Sequence, residues 1–185
     1  AILLGKRRDY KGYALPPHNI TYVAIGAAML WIGWFGFNAG SGLAADGLAG
    51  NALMVTNLAA ATAALTWASL EWIIDKRPTT VGICTGAVGG LVAITPAAGF
   101  VSVTGALIIG VVVSLVCFVM VARVKPKLGY DDSLDAFGIH GVGGIIGAIL
   151  TGILATPFIQ ESYKGAIYGN FNQLWIQLLA VLATM

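Results

Sequence analysis

Long runs without a charged side chain constrain this sequence more than any other feature. Five such runs cover most of its 185 residues, at 20–45, 47–70, 78–122, 136–160 and 165–185. A helix of about 20 apolar residues is long enough to cross a hydrocarbon core roughly 30 Å thick. Charged residues make up only 10% of the chain, whereas they make up about 25% of ordinary soluble domains. The sequence therefore predicts an integral membrane protein with several transmembrane helices.

The run at 78–122 is 45 residues long and must hold two spans. We expect a break at Thr95, Pro96 and Gly99, because proline lacks the helical N–H donor and glycine lowers helix propensity. The predicted fold is an all-α, polytopic transmembrane helix bundle. Its spans are expected near 20–41, 48–70, 80–97, 103–122 and 135–155, with a truncated sixth span at 172–185.

The basic residues lie almost entirely on one side of this predicted bundle. Nine of the ten precede the first span or lie in the second–third and fourth–fifth connections, namely Lys6, Arg7, Arg8, Lys11, Lys76, Arg77, Arg123, Lys125 and Lys127. Only Lys164 lies on the other side. The positive-inside rule then places the nine-charge side in the cytoplasm of a multi-pass protein of the cell membrane. These loops account for the net charge of +2, so the sequence gives no reason to expect a nucleic-acid partner.

One ionisable side chain, His140, lies inside the uncharged run at 136–160. An imidazole in hydrocarbon is costly unless it is hydrogen-bonded or faces a cavity, which makes His140 a candidate functional residue. A packing hydrogen bond to a neighbouring helix is the alternative. Gly143, Gly144 and Gly147 are expected to leave space on the turns above the ring. Because apolar surroundings disfavour the charged form, we expect a neutral imidazole with one donor and one acceptor.

A second candidate site lies in the first span, where Trp34, Phe37 and Ser41 share one helical face. The predicted orientation puts Ser41 outermost and Phe37 about one turn deeper. A hydroxyl acceptor backed by aromatic rings suits a small cation, through cation–π attraction. An interfacial aromatic belt is the alternative that the spacing leaves open.

Other polar residues have structural interpretations. Asn19 is the predicted N-cap of the first span, and Asp132 with Asp135 three residues later is the predicted capping pair of the fifth. The sequence offers no nucleophile with a base at suitable spacing and no metal-ligand cluster. We therefore expect neither an enzyme nor a cofactor.

Three stretches resemble the ammonium transporter family, usually called Amt and related to the Rhesus proteins. They are GWFGFNAGS at 33–41, GAVGGLVAITPAAGFV at 86–101 and DDSLDAFGIHGVGGIIGAILTGI at 131–153. The resemblance runs through essentially the whole chain in the family's order. It implies transport of ammonium or ammonia through a hydrophobic pore with a histidine and a phenylalanine gate, by a homotrimer of eleven-span subunits in which each pore lies between two five-span inverted repeats.

The resemblance also implies roles for individual residues. Phe37 matches the inner gating phenylalanine, Ser41 the serine of the external ammonium site, and His140 the second of two pore histidines. Trp34 is assigned to the pore, and Asp135, Asn38, Gly143 and Gly144 are assigned as structural residues near it.

The chain would then be the second repeat plus the start of the last span, with the first pore histidine and the other gating phenylalanine outside it. The implied partners are ammonium or ammonia, the lipid bilayer, two further copies of the subunit and a cytoplasmic regulatory protein. An ammonium sensor coupled to a signalling module and a purely structural membrane subunit are the rival interpretations.

Overall fold

Helices form every regular element of the computed structural model, which describes residues 5–8, 10 and 16–185. The α-helices are α1 (Ile20–Gly40), α2 (Gly47–Asp75), α3 (Thr80–Ile94), α4 (Val103–Val119), α5 (Lys125–Leu128), α6 (Val142–Leu154) and α7 (Phe171–Thr184). A π-helical turn, Met120–Val124, joins α4 to α5, and a second one, Phe137–Gly141, leads into α6. A 3₁₀ turn, Ala166–Tyr168, precedes α7. The predicted all-α class is confirmed.

Four helical segments are long and apolar enough to cross a membrane. They are Ile20–Gly40, Gly47–Asp75, Val103–Leu128 and Phe137–Leu154. The shorter apolar helices α3 and α7 have 15 and 14 residues. The uncharged runs thus mark the helices of the bundle, although some helices continue past the charged residues that border the runs.

Three helix ends differ from the expected span ends by three residues or more, and one of them is that of the helical segment Val103–Leu128, which passes the expected end at 122. The second helix continues to Asp75, past the expected end at 70, because the charge at Glu71 limits the apolar stretch and not the helix. The third ends at Ile94, short of 97. Pro96 has no N–H to donate to the Val92 carbonyl, and the N–H of Thr95 donates to that oxygen instead, at 3.2 Å.

The helix caps correct one prediction and confirm another. The Asn19 carboxamide oxygen accepts the N–H of Tyr22 at 3.1 Å, as expected of an N-cap. Asp132 alone caps the helical segment that carries His140, since its carboxylate accepts the N–H groups of residues 136 and 137 at 3.0 and 2.9 Å. Asp135, expected to share the capping, forms an ion pair with Lys125 instead.

Glycines allow close approach where α2 packs against α3 and α4. A Cβ at Gly90 would lie 2.5 Å from the carbonyl oxygen of Ala59, and one at Gly110 would lie 2.7 Å from the same atom. The facing side chains on α2 are also small, and Ala59 and Ala63 are fully buried. Small residues at helix contacts are the usual packing device in membranes, where hydrocarbon solvent gives apolar side chains little reason to associate.

Candidate functional site

The first helix is the least covered of the long helices. Asn38 is its only buried residue, and the Phe37 side chain is 62% exposed. One side of α1 contacts α2 and α3. The rest of its surface is open in this chain, and it borders three cavities.

The first cavity contains the ring of His140. It has a volume of about 330 Å³ and lies between α1 and α3, with Gly26 and Leu30 of α1, Cys84 of α3 and His140 among its lining residues. The His140 side chain is exposed, and no residue in the described part of the chain forms a hydrogen bond with it. The alternative of a packing hydrogen bond to a neighbouring helix therefore finds no partner among these residues.

Two more cavities continue along α1 toward its C-terminal end. The second, an open depression of about 620 Å³ lined by residues of α1 alone, shares Gly26 and Leu30 with the first and is also lined by Trp34 and Phe37. The third, of about 370 Å³, shares Phe37 with the second and is also lined by Ser41. Because neighbouring cavities share lining residues, they follow α1 from Gly26 to Ser41, over about 22 Å at 1.5 Å per residue. We call these three cavities the α1 groove.

Hydrogen bonds fix the polar side chains of α1 beside the groove. The indole N–H of Trp34 donates to the hydroxyl of Thr95 at 2.7 Å. The Asn38 amide donates to the hydroxyl of Thr56 at 3.0 Å and so ties α1 to α2. The Ser41 hydroxyl donates to the carbonyl oxygen of Phe37, which leaves its oxygen lone pairs available as acceptors.

Aromatic packing places Phe37 at the junction of two cavities. The rings of Trp34 and Phe37 lie edge to face, with centroids 6.2 Å apart and an interplanar angle of 72°. Phe37 lines both the second and the third cavity. The structure thus brings Trp34, Phe37 and Ser41 onto one face, and it places His140 at the other end of the same groove.

Two of the glycines that follow His140, Gly143 and Gly147, do not provide the space beside its ring. Gly143 is buried, and a Cβ there would lie 3.5 Å from the Cys117 sulfur. A Cβ at Gly147 would lie inside van der Waals contact with the carbonyl oxygen of Ala93 and 2.7 Å from its Cα. These positions face packed helices, and the open space lies on the α1 side, so the expectation from spacing was wrong about direction.

Charged residues stabilise the base of the helical segment that carries His140. The Lys125 ammonium, with only 7% of its side chain exposed, lies 2.6 Å from the Asp135 carboxylate. Burial raises the pKa of Asp135, and the hydrogen bond from Lys125 opposes that shift. In the adjacent loop, the hydrogen bond from Arg7 lowers the pKa of Asp131. Sequence reasoning missed both pairs, because each joins residues of different segments.

Lys125→Met is expected to destabilise the protein by about 3 kcal/mol, because it leaves the Asp135 carboxylate without its partner. This value is at the low end for buried pairs, since 21% of the Asp135 side chain remains exposed. Thermal unfolding of the full-length protein in detergent measures the effect. Lys127→Met, at an exposed position two residues away, is the matched control. Equal midpoints for the two variants would contradict the structural role of the pair.

The described residues bring together no group of three His, Cys, Asp or Glu side chains that could hold a metal ion. His140 is the one histidine that lines the groove, and the other ionisable side chains there are the Tyr22 phenol and the Cys84 thiol of the first cavity. The chemistry available there is therefore hydrogen bonding and proton exchange at one ring, with a hydroxyl and two aromatic rings farther along α1.

Comparisons with known proteins agree with this architecture. The family model described as Ammonium Transporter Family matches residues 1–185. An ammonium transporter of Aquifex aeolicus is 52% identical over 185 residues, which are all of this chain and 43% of the relative. An ammonium transporter of Bacillus subtilis is 50% identical over the same 185 residues, which are 45% of its length.

Solved structures show the same similarity. The crystal structure of Candida albicans Mep2 superposes with a TM-score of 0.89 at 37% identity, over 98% of this chain and 42% of that one. A structure described as a sensor Amt protein superposes with a TM-score of 0.87 at 31% identity, over 98% and 45% of the two chains. The chain thus spans less than half the length of these relatives. With its apolar helices, these matches confirm the predicted membrane location.

Proposed function

The chain belongs to the ammonium transporter family, and we propose that the protein of which it is part moves ammonium or ammonia across the cell membrane along the α1 groove. The observation that carries this proposal is the groove itself. His140 lines its first cavity, Phe37 lies where the second and third meet, and Ser41 lines the third. These three residues stand out in the sequence for different reasons, and one surface of the bundle connects them.

The chemistry of the groove suits a substrate that enters as a cation and crosses without its charge. Ser41 offers a hydroxyl acceptor, and Trp34 and Phe37 offer aromatic faces that attract a small cation. Carrying the bare ion through hydrocarbon would cost far more than one such contact returns, so the ion must be rehydrated or lose its proton. A neutral imidazole at His140 can accept a hydrogen bond from ammonia and donate one onward.

The proposal includes the part of the protein that would close the pore. Phe37, on the open side of α1, and His140, in the turn before α6, are both exposed in this chain. The relatives are more than twice as long as this chain. We propose that the protein has a region equivalent to the additional length of the relatives, and that this region covers the groove. The homotrimer and the cytoplasmic regulatory protein implied by the family resemblance belong to the same proposal.

An ammonium sensor is the second candidate function. The observation behind it is the similarity to the sensor Amt structure, on which 98% of this chain superposes, the same share as on Candida albicans Mep2. A sensor would bind ammonium in the groove and report its occupancy to a signalling module, with little conduction. The two functions differ in flux and not in fold, so only a flux measurement separates them.

Uptake and current recorded together in liposomes test the proposed transport. The full-length protein is reconstituted, an ammonium gradient is applied, and isotope-labelled ammonium entering the vesicles is measured alongside the current. We expect saturable uptake above that of empty liposomes. Ammonium binding without such uptake would favour the sensor, and the absence of both would contradict each of these functions.

Phe37→Ala is expected to change ammonium throughput and to raise the uptake of the larger methylammonium relative to ammonium. The reason is that Phe37 is the lining residue that the second and third cavities share, so a smaller side chain there widens the groove where they meet. Parallel uptake of the two substrates into liposomes measures the ratio. Phe158→Ala is the control, since Phe158 is 84% exposed and lies outside the groove. An unchanged ratio and rate would leave Phe37 as a packing residue.

A further inference from the structure

The indole N–H of Trp34 has a single partner, and that partner comes from another helix segment. Tryptophan has one polar hydrogen and no acceptor, so a half-buried indole in an apolar segment requires an oxygen to accept it. The Thr95 hydroxyl oxygen lies 2.7 Å from the indole nitrogen. Thr95 directly follows α3 and precedes Pro96, where the helical hydrogen bonding is interrupted.

A second hydrogen bond engages the proton of the Thr95 hydroxyl. The Thr95 hydroxyl donates its own proton to the carbonyl oxygen of Leu91, at 2.8 Å. Its proton is therefore committed, and a lone pair of the same oxygen faces the indole N–H. A valine side chain at position 95 would fill nearly the same volume but could accept no hydrogen bond.

Few other interactions hold this part of α1. Asn38 is the one buried residue of the helix, and its bond to Thr56 ties α1 to α2. Among the described residues, the Trp34–Thr95 bond is the only side-chain hydrogen bond between α1 and the α3 segment. Trp34 packs edge to face against Phe37, so the orientation of the indole limits the space available to the Phe37 ring.

We infer that Thr95 is a positioning residue for the passage at Phe37, where it holds the Trp34 indole and thereby sets which small amines pass. This inference rests on the proposed function. The inference adds Thr95 to the residues that shape the groove. Thr95 lines the third cavity but not the second, on which it acts only through Trp34. The substrates recognised at Phe37 are ammonium-sized cations or their neutral amines. The Trp34 indole, held by Thr95, discriminates against larger amines.

The test compares Thr95→Val with Thr95→Ser in the full-length protein in liposomes. Thr95→Val is expected to change the ratio of methylammonium to ammonium uptake about five-fold, which corresponds to about 1 kcal/mol. Thr95→Ser keeps the hydroxyl and is expected to restore the wild-type ratio. Thr66→Val is the matched control, because Thr66 makes the same bond to the carbonyl four residues earlier and holds no indole. A wild-type ratio in Thr95→Val would overturn the inference.

A second measurement does not depend on transport. Fluorine NMR of protein labelled with 5-fluorotryptophan, with the Trp34 signal assigned through Trp34→Phe, reports the environment of that indole. We expect the Trp34 signal to shift or broaden in Thr95→Val and to stay in place in Thr66→Val. An unchanged signal in Thr95→Val would contradict the inference even if uptake changed.

The two measurements also separate this inference from the proposed function. If the wild-type protein takes up no ammonium, the proposed function fails, while the fluorine spectrum still decides whether Thr95 holds Trp34. If Thr95→Val does not fold, Trp34→Phe removes the same hydrogen bond from the other side. That variant is then expected to change the uptake ratio in the same direction, and an unchanged ratio would overturn the inference.

Discussion

His140→Ala in the full-length protein is expected to reduce ammonium uptake into liposomes roughly 2- to 12-fold and to leave the bundle folded. A hydrogen bond between neutral groups, such as imidazole and ammonia, contributes about 0.5–1.5 kcal/mol, which corresponds to that range of rates. The imidazole lines the first cavity of the α1 groove and forms no hydrogen bond with other described residues. Its removal should therefore affect the passage of substrate much more than the packing.

His18→Ala is the matched control, because the chain contains two histidines and His18 lies in the exposed segment before α1. We expect wild-type uptake and current in this variant. Size-exclusion profiles of both variants establish that the protein remains assembled. If His140→Ala kept both wild-type uptake and wild-type ammonium-induced current, His140 would have no part in the mechanism.

Gly147→Ala is expected to disrupt the contact between α3 and α6 and to lower the stability by about 1–3 kcal/mol or more, as overpacking does in other cores. The added Cβ would lie inside van der Waals contact with the Ala93 carbonyl, and a backbone atom cannot rotate aside as a flexible side chain can. Helix α6 would have to move away from α3. Because the same segment carries His140, loss of uptake should accompany the loss of stability.

Gly144→Ala is the control for this substitution, since a Cβ there would meet its nearest neighbour, a Val92 methyl group, at 3.9 Å. That is an ordinary contact, and we expect the thermal midpoint of this variant to stay close to that of the wild type. Thermal unfolding of both full-length variants in detergent makes the comparison. Equal midpoints would mean that the close approach at Gly147 is not required for the fold.

The helices could be predicted from the sequence because hydrocarbon excludes charge. An uncharged run long enough to cross the membrane can adopt few structures, because every backbone N–H and C=O group must form its hydrogen bond within the segment. The ends of helices follow other rules, which explains why the helices end at Asp75 and Ile94 and not at the expected span ends. A helix can continue into water past the first charged residue, and it can stop early where Pro96 removes a donor.

Part of the candidate site was also accessible from the sequence. His140 stands out as the one ionisable residue in an uncharged run, and helical spacing groups Trp34 with Phe37 and Ser41. Helical spacing shows which residues share a face of a helix but not which element that face contacts. We therefore expected Gly143 to face the space beside His140, whereas it faces packed helices. The partners of Trp34 and Lys125 could not be found in this way, since each of those bonds joins two different helical segments or a segment and a loop.

Structure determination of the assembled full-length protein tests the central claim most directly, because that claim concerns what lies beside the His140 ring once the groove is covered. We predict a lumen that runs along α1 from Ser41, past Phe37, to the imidazole of His140. A map in which neighbouring side chains enclose that imidazole on every side, with no passage toward Phe37, would contradict the account.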